Sequence, residues 1–222
     1  MSYNNLFLHN DWNFLIHNSN ISFEIINLEQ KDNMILDNSS LVYIGLHGIV
    51  SISKRYSSNK LVTLYLINLN NVIFSVDTNI NYYLEVKAFT KSTLLIISFA
   101  DFYTCKRYHS QLLKLELDSL NSKLYYIELF ANIFHHKNIV NKFLSFILIM
   151  CKNFGIIYPP GILIDLEISQ LDISKIIGCS RVTVTRLINL LKKKLIIIIN
   201  RKIMVYNPVY LTNCIINNDH FL

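Results

Sequence analysis

Residues 169–191, SQLDISKIIGCSRVTVTRLINLL, have the pattern of two short helices joined by a tight turn. Ser169 suits the N-cap of the first helix, and the chain from there follows a capping box. Gly178 can take the left-handed conformation that ends this helix, and Ser180 can cap the next one. The pattern predicts a helix-turn-helix motif over residues 170–189. Apolar residues stand where two helices pack at a steep angle, at Ile173, Ile177, Cys179, Val184 and Leu187.

The second helix of this motif is predicted to present a polar face that carries Arg181, Thr183, Thr185 and Arg186. Between residues 169 and 207, eight lysines and arginines stand against one acid, a local balance of +7 in a chain whose total is +6. Such a concentration suits a surface that neutralises phosphates. The alternative is an ordinary helical hairpin whose arginines form a solvated face.

A pair of short strands is predicted directly after the motif. Leu195–Ile199 is a β-branched run, and Ile203–Tyr206 is a second short run that ends at Asn207-Pro208. The polar residues Asn200-Arg201-Lys202 between them suit a tight turn. Two strands behind a helix-turn-helix predict a wing.

The first part of the chain is predicted to be an antiparallel barrel or sandwich, which makes the whole an α+β protein. Residues 1–40 are rich in asparagine and weakly patterned, with helical spacing only around Trp12–His17, and they receive no assignment. Over residues 41–100, short apolar runs alternate with polar turns. Strands are predicted at Leu41–Leu46, Ile49–Arg55, Leu61–Leu66, Val72–Val76, Tyr82–Phe89 and Leu94–Phe99.

Residues 101–136 are predicted to form one long helix that ends in a polar hinge, because they contain neither proline nor glycine. Apolar residues step by four and three along this helix, which is the spacing of a seam between two helices. A partner helix is the favoured explanation, and the alternative is a stripe that packs only on its own barrel. The seam consists of Leu113, Leu117, Leu120, Leu124, Ile127, Ala131 and Phe134.

Three segments carry a resemblance to a known family: IDLEIS at 164–169, GCSRVTVTRL at 178–187 and VYNPV at 205–209. They resemble the winged helix of the CRP/FNR transcription regulators, most closely the NtcA-like nitrogen regulators of cyanobacteria and red-algal plastids. The resemblance implies a cyclic-nucleotide-binding-type β-barrel at 41–100, a dimerisation helix and hinge at 101–136, and a winged helix-turn-helix domain at 137–210. Residues 211–222 are left as a tail.

The same resemblance implies a homodimeric transcription regulator on double-stranded DNA, with an activator as one candidate role and a repressor as the other. Two recognition helices related by a two-fold axis meet major grooves one helical turn apart, so the operator is expected to be palindromic, of the form GTA-N8-TAC. Arg181 and Arg186 are expected to reach base edges or phosphates, and Val182 to make an apolar contact, for instance with a thymine methyl. The expected phosphate-binding or capping residues are Ser180, Thr183 and Thr185, with Lys202 of the wing on the DNA backbone.

The resemblance also raises the question of a small anion bound in the barrel, and 2-oxoglutarate is the candidate effector. When the chain is matched to the family, the barrel arginine falls near Tyr82, while the two effector-binding residues of the long helix fall on Lys123 and Glu128. The alternative for these two residues is an intrahelical pair on a solvated face. Cyclic nucleotide binding is not expected, because no arginine lies between Arg55 and Arg107.

Composition agrees with a nucleic-acid partner and offers no catalytic motif. The chain has 222 residues and a pI near 9.0. Its four cysteines are widely spaced, which fits buried or free thiols in a reducing compartment. No cofactor, metal site, signal peptide or membrane-spanning apolar run is expected. Abundant Ile, Asn and Lys, together with the resemblance, favour a plastid-encoded protein of the chloroplast stroma, with the bacterial cytoplasm as the alternative.

Two functions fit these patterns. The first is a regulator of nitrogen-responsive genes that senses 2-oxoglutarate, with RNA polymerase as a further candidate partner. The second is a DNA-binding dimer of the same fold that has lost small-molecule sensing. The missing barrel arginine favours the second function, whereas Lys123 and Glu128 favour the first.

Overall fold

The computed structural model describes residues 22–36, 40–68, 71–74, 81–108, 110–192, 195–199 and 201–217. The chain divides into two compact units, Met1–Tyr126 and Ile127–Leu222. This division falls inside the long helix, whereas the sequence placed a domain boundary at its end. The predicted helical spacing around Trp12–His17 and the basic residues Lys193 and Lys194 lie outside the described residues.

The first unit contains two antiparallel sheets. One sheet has the strand order β1-β8-β3-β6, formed by β1 (Phe23–Leu28), β3 (Leu41–His47), β6 (Val72–Phe74) and β8 (Ser92–Ser98). The other has the order β2-β7-β4-β5, formed by β2 (Asn33–Leu36), β4 (Ile49–Tyr56), β5 (Leu61–Asn68) and β7 (Tyr82–Ala88). Gly48 turns the chain from β3 into β4 with φ +108°, and a Cβ there would lie 2.2 Å from the hydroxyl of Ser92.

The strands predicted between residues 41 and 100 are present, at slightly different ends, so the sheet-rich first unit is confirmed. Two strands were missed, because residues 1–40 received no assignment. Strand β1 pairs with β8, and strand β2 pairs with β7. Each lies at the edge of its sheet and alternates little between buried and exposed positions, so its sequence lacks a clear period of two.

Helices cover one face of the first sheet. Helix α1 (Phe99–Tyr108) follows β8, and helix α2 (Ser110–His135) follows α1; residue 109 lies outside the described residues, so one continuous helix through it stays a prediction. Phe102 and Leu112 are fully buried against the sheet. Their neighbours in this cluster are Val42, Ile44, Val72, Leu95 and Ile97.

The Ser119 hydroxyl makes hydrogen bonds between helix α2 and strand β6. The Ser119 hydroxyl oxygen accepts a hydrogen bond from the backbone N–H of Val72 at 2.7 Å, and its O–H donates to the carbonyl of Val72 at 3.3 Å. Ser119 is buried, as is Glu116 one turn earlier. This face of α2 therefore belongs to the barrel.

The opposite face of α2 is apolar and exposed. Every residue of the predicted seam is exposed in the single chain, from Leu113 to Phe134. Leu124 is the most exposed of them, with 65% of its surface open to solvent. The part of the stripe in the first unit, from Leu113 to Leu124, therefore does not pack on its own barrel, which argues against the alternative offered for it.

The second unit has a helical core and a four-stranded antiparallel sheet. Its core is helix α3 (Ile139–Phe154), whose Phe143, Leu144, Phe146 and Ile147 are fully buried. The sheet has the order β11-β12-β10-β9, formed by β9 (Gly155–Tyr158), β10 (Gly161–Ile164), β11 (Ile196–Ile199) and β12 (Lys202–Val205). The two helices of the predicted motif are α4 (Gln170–Ile177) and α5 (Arg181–Lys192).

Residues 211–217, which the sequence analysis left as part of a tail, belong to the second unit. They continue helix α6 (Pro208–Asn217), which packs on α3. Leu211 and Cys214 are buried in this contact face. The predicted end of the domain at residue 210 is therefore wrong, because Asn207-Pro208 ends the wing strand and at the same time begins a helix.

Candidate nucleic-acid interface

Helix α4 begins with the predicted capping arrangement. The Ser169 hydroxyl oxygen accepts a hydrogen bond from the N–H of Asp172 at 3.1 Å, and its O–H donates to the Asp172 carboxylate at 2.7 Å. Both bonds join residues three apart, so the first turn of this helix is specified locally.

The turn between the two helices depends on a left-handed residue. Gly178 has φ 71° and ψ 45°, and the following N–H, that of Cys179, donates to the carbonyl of Ser174 at 3.0 Å. A Cβ added to Gly178 would meet no atom within 4 Å. Glycine is therefore favoured here by its backbone freedom and not by lack of space.

The two helices are held together by an apolar core and one polar bridge. The apolar residues predicted to pack the motif are buried, except Cys179, which is half-buried. The Thr185 hydroxyl donates to the side-chain oxygen of Gln170 at 2.6 Å, from α5 to the first turn of α4. Burial raises the pKa of the Cys179 thiol, against the opposite effect of the Lys142 ammonium group, so this sulfur stays protonated at neutral pH.

The hydroxyl groups at the start of α5 have partners within the protein. The Ser180 oxygen accepts from the N–H of Thr183 at 3.1 Å, which caps the helix, and the two hydroxyls lie 2.8 Å apart. Thr185 bonds to Gln170 and to the carbonyl of Arg181. The hydrogen bonds of Ser180 and Thr183 therefore cap the helix, whereas those of Thr185 do not, and phosphate binding by these residues stays a prediction.

The outward face of α5 consists of residues with open side chains. Arg181, Val182 and Arg186 are exposed, Val182 by 60%. Across the described part of the chain, no hydrogen-bond or ion-pair partner is found for either guanidinium group. Two exposed cations, five positions apart, and an exposed apolar side chain therefore lie in the first two turns of the helix.

Asn189 is a member of this face that the sequence analysis missed. It lies seven positions after Val182 and three after Arg186, so it falls on the same side of the helix. Its distance from Val182 along the helix axis is about 10 Å. Its side chain is exposed. The spacing of Asn189 from Val182 and Arg186 is visible in the sequence, and it could have predicted this position on the outward face.

The wing carries two cations, and both face acids. Arg201, in a left-handed conformation with φ 65°, directly precedes β12, and Lys202 is the first residue of that strand. The Lys202 ammonium group pairs with the Asp165 carboxylate, and the Arg201 guanidinium lies 3.9 Å from the Glu167 carboxylate. The sequence placed Lys202 on the DNA backbone but did not foresee its acidic neighbour.

The two effector candidates lie on different faces of helix α2. Lys123 follows Ser119 by one turn and is half-buried, and desolvation by this burial lowers its pKa. Glu128 is exposed. Five residues along an α-helix amount to about 140° of rotation, so the two side chains point apart. No ion pair joins them among the described residues, which argues against the intrahelical pair, and the effector role stays a prediction.

In the described strands of the barrel, the one arginine is already paired within the protein. Tyr82, near the place of the family's arginine, lies with its ring 5.7 Å from that of Tyr56 and under the ammonium group of Lys54. Arg55, on strand β4, donates through Nε to the buried carboxylate of Glu85 at 2.5 Å. This bond raises the pKa of Arg55, and it neutralises the arginine within the protein.

Neither a metal-binding cluster nor a membrane-spanning helix is present among the described residues. No group of three His, Cys, Asp or Glu side chains is placed to hold a metal ion there, and His136 instead lies 2.8 Å from the hydroxyl of Ser145. Among the same residues, no helix is long and apolar enough to span a membrane. Cys151 is buried, and burial raises the pKa of its thiol to about 12.

Comparisons with known proteins agree with this geometry. Residues 142–214 match the model of the Crp-like helix-turn-helix domain. The chain is 34% identical over 181 residues to the global nitrogen regulator of Synechocystis sp., covering 79% of this chain and 80% of that protein. It is 29% identical over 214 residues to ycf28 of Porphyra purpurea, named as a putative HTH-type transcriptional regulator, covering 91% and 86%.

Solved structures show the same fold at lower identity. A CooA mutant from Carboxydothermus hydrogenoformans superposes with a TM-score of 0.70 at 18% identity, covering 91% of this chain and 94% of that one. A CRP-family regulator from Thermus thermophilus gives 0.68 at 13% identity, covering 85% and 95%. The capped helix-turn-helix, the wing, the sheet-rich first unit and these relatives together show that the chain belongs to the CRP family of transcription regulators, as a homologue of the global nitrogen regulators.

Proposed function

We propose that this CRP-family regulator binds a palindromic DNA operator as a homodimer and controls nitrogen-responsive genes. The observation that carries the proposal is the outward face of α5, where Arg181 and Arg186 are exposed without a partner among the described residues, on either side of Val182. A buried or paired arginine could not serve a DNA groove without first losing its partner. The exposed guanidinium groups of Arg181 and Arg186 do not bear the cost of losing a partner.

Each residue of this face has a proposed role. Arg181 and Arg186 bond to guanine O6 and N7 or to phosphates, and Val182 packs on a thymine methyl group. Ser180 and Thr183 hold the helix N-terminus in shape, so that its backbone N–H groups face a phosphate. Thr185 ties α5 to α4 and acts through the position of the helix. Lys202 meets the DNA backbone from the wing.

The exposed face of α2 supports the homodimer. Six large apolar side chains lie along one stripe of this helix, from Leu113 to Phe134. An exposed stripe of this length marks an interaction surface, and a second copy of the helix offers the same stripe in the matching spacing. A dimer of this kind has two recognition helices, which is what a palindromic site such as GTA-N8-TAC requires.

Sensing of 2-oxoglutarate rests on Lys123 and on the relatives named as global nitrogen regulators. Lys123 lies on the same face of α2 as Ser119, which bonds to strand β6 of the barrel. A half-buried cation at this place suits one carboxylate of a dicarboxylic acid, although as a point charge and not as a planar fork. Glu128, exposed on another face, takes part only if the ligand also reaches that face.

A specific observation favours a second candidate function, a DNA-binding dimer without an effector. Arg55 is already neutralised by Glu85, and Tyr82 stands near the place of the family's barrel arginine. A dicarboxylate in this barrel would therefore meet fewer free cations than the family pattern provides. The barrel would then serve as a packing base for α2.

The place of action that we propose is the plastid stroma, with RNA polymerase as the protein partner at the promoter. The relative in the red alga Porphyra purpurea and the A+T-rich type of composition support a plastid gene. Expression of a tagged chain in an algal plastid, followed by recovery of the bound DNA, tests the location and the operator together.

Fluorescence anisotropy tests the main proposal. A labelled GTA-N8-TAC duplex and a scrambled duplex are titrated at fixed salt, with and without 2-oxoglutarate. Preference for the palindrome that strengthens with the metabolite and is lost in Lys123→Gln supports the sensor. Preference that ignores the metabolite supports the second function, and equal binding to both duplexes refutes the operator.

A further inference from the structure

Both cations of the wing face carboxylates from the segment between β10 and α4. Lys202 pairs with Asp165, and Arg201 lies near Glu167. We infer that Asp165 and Glu167 are internal counter-ions of the wing, which lower the sequence-independent part of its affinity for DNA. The inference rests on the proposed function, because it concerns how strongly the same interface holds phosphate groups.

The pairing of Lys202 with Asp165 is set by the backbone. Strands β10 and β12 are antiparallel, with Ile164 opposite Ile203, so the next residues outward are Asp165 and Lys202. The N–H of Asp165 also donates to the carbonyl of Phe154 at 2.8 Å, which fixes the acid at the end of its strand. The two groups therefore face each other because of sheet register, and not because two flexible side chains happen to meet.

The second pair is looser. Arg201 is 79% exposed at its side chain, and its guanidinium is 3.9 Å from Glu167. Its position follows from the turn, where the left-handed conformation of Arg201 directs the chain back into β12. Asp165 is accordingly the stronger counter-ion, and Glu167 adds negative charge beside it.

Counting charges gives the consequence for DNA binding. A free lysine that reaches a phosphate displaces one condensed counterion from the DNA. When Lys202 leaves Asp165 for a phosphate, one counterion leaves the DNA, but the Asp165 carboxylate takes up a cation from solution. The net number of cations released is therefore about zero. Removing the charge of Asp165 restores that release in each wing, which steepens the slope of log K against log[salt] by about 0.9 per wing, or about 1.8 for the homodimer, and tightens binding about thirtyfold near 0.15 M salt.

The test measures the binding of the full-length protein to the palindromic and to the scrambled duplex over a series of salt concentrations. Asp165→Asn is expected to tighten binding to both duplexes by the same factor and to steepen the salt slope. Glu167→Gln is expected to act in the same direction to a smaller extent. Binding of Asp165→Asn that is unchanged or weaker overturns the inference, since the acid would then only position the lysine.

Two further variants make the result specific. Glu29→Gln breaks the exposed 3.1 Å pair with Lys91 in the first unit and changes the net charge equally, so it should leave the salt slope alone. Lys202→Ala should weaken binding, because it leaves Asp165 uncompensated near DNA. The double variant Asp165→Asn/Lys202→Ala should return to the slope of the unchanged protein, and a double variant as weak as Lys202→Ala would contradict the charge count.

The outcome can be separated from that of the proposed function. If the unchanged protein binds neither duplex, the proposal of a DNA-binding regulator fails, and the counter-ion inference fails with it. If it binds but Asp165→Asn has no effect, only the counter-ion inference fails. Thermal melting of each variant shows whether the second unit remains folded.

Discussion

Replacing Leu124 by aspartate should convert the dimer into a folded monomer. The six large seam residues are between 39% and 65% exposed in the single chain. Covering about half of such a side chain is worth about 1 kcal/mol, so two symmetry-related helices gain roughly 12 kcal/mol. Association costs about 4–15 kcal/mol, and the seam is therefore close to the minimum that a stable dimer needs.

Leu124 makes the largest single contribution because it is 65% exposed. Its loss from both helices removes about 3 kcal/mol of burial, and two carboxylates placed in an apolar seam add a penalty of similar size. At 1.4 kcal/mol for each factor of ten, the dissociation constant should rise at least about a thousandfold.

Sedimentation velocity at about 10 μM protein measures this change directly for a dimer with a dissociation constant of about 0.1–1 μM, which a thousandfold rise would bring to about 0.1–1 mM. Ile216→Asp is the matched control, because Ile216 is 70% exposed on α6, outside the seam. The control should stay dimeric, and both variants should melt as cooperatively as the unchanged chain. A Leu124→Asp dimer of unchanged mass would refute the assignment of the seam.

Three further results are expected. Arg181→Ala should cost about 1–3 kcal/mol of DNA binding and relax the preference at one base pair, and an equal loss on scrambled DNA would mean that this arginine touches phosphate alone. Gly178→Ala should lower the free energy of unfolding by about 1–2 kcal/mol in denaturant titrations, whereas Gly178→Asn should cost less, because asparagine tolerates the left-handed conformation. Lys123→Met should raise the melting temperature at neutral pH, where the fold holds a desolvated charge. The pKa of Lys123 is lowered in the folded state, so folding becomes more favourable as pH rises through that value, and the advantage of methionine should fade toward pH 10.5, the ordinary pKa of lysine. An increase in the melting temperature of Lys123→Met that stays constant with pH would contradict this explanation.

The helix-turn-helix could be predicted closely because its determinants are local. The Ser169 cap and the Ser180 cap act over three residues, and the left-handed Gly178 acts on its own backbone. Residues three positions apart come into contact whenever the helix forms, so these contacts can be predicted without knowing the tertiary structure.

The acids of the wing could not be predicted in the same way. Asp165 and Lys202 are 37 positions apart, and only the register of β10 against β12 brings them together. The charge balance of +7 was counted from residue 169 onward, just after both acids. Counted from residue 165, the same eight cations stand against three acids, which leaves +5.

Periodicity alone could not decide what the apolar stripe of α2 covers. A seam and a barrel-facing stripe have the same spacing, and the helix in fact has both kinds of face. Leu112 and Ser119 are buried, whereas Leu113 and Leu120, one residue further along, are exposed. The rotation of the helix about its axis decides which stripe faces the barrel and which is exposed. Contacts such as the hydrogen bond between Ser119 and Val72 fix that rotation.

The hydroxyl of Ser119 also bears on how this protein avoids aggregation. In the described part of its sheet, β6 is the outer strand, and an outer strand with free N–H and C=O groups is a template for a strand of another chain. Ser119 satisfies both groups of Val72 with one side chain. The helix that exposes the apolar stripe thus also closes part of one sheet edge, so β6 is a poorer template for a strand of a second copy at Val72.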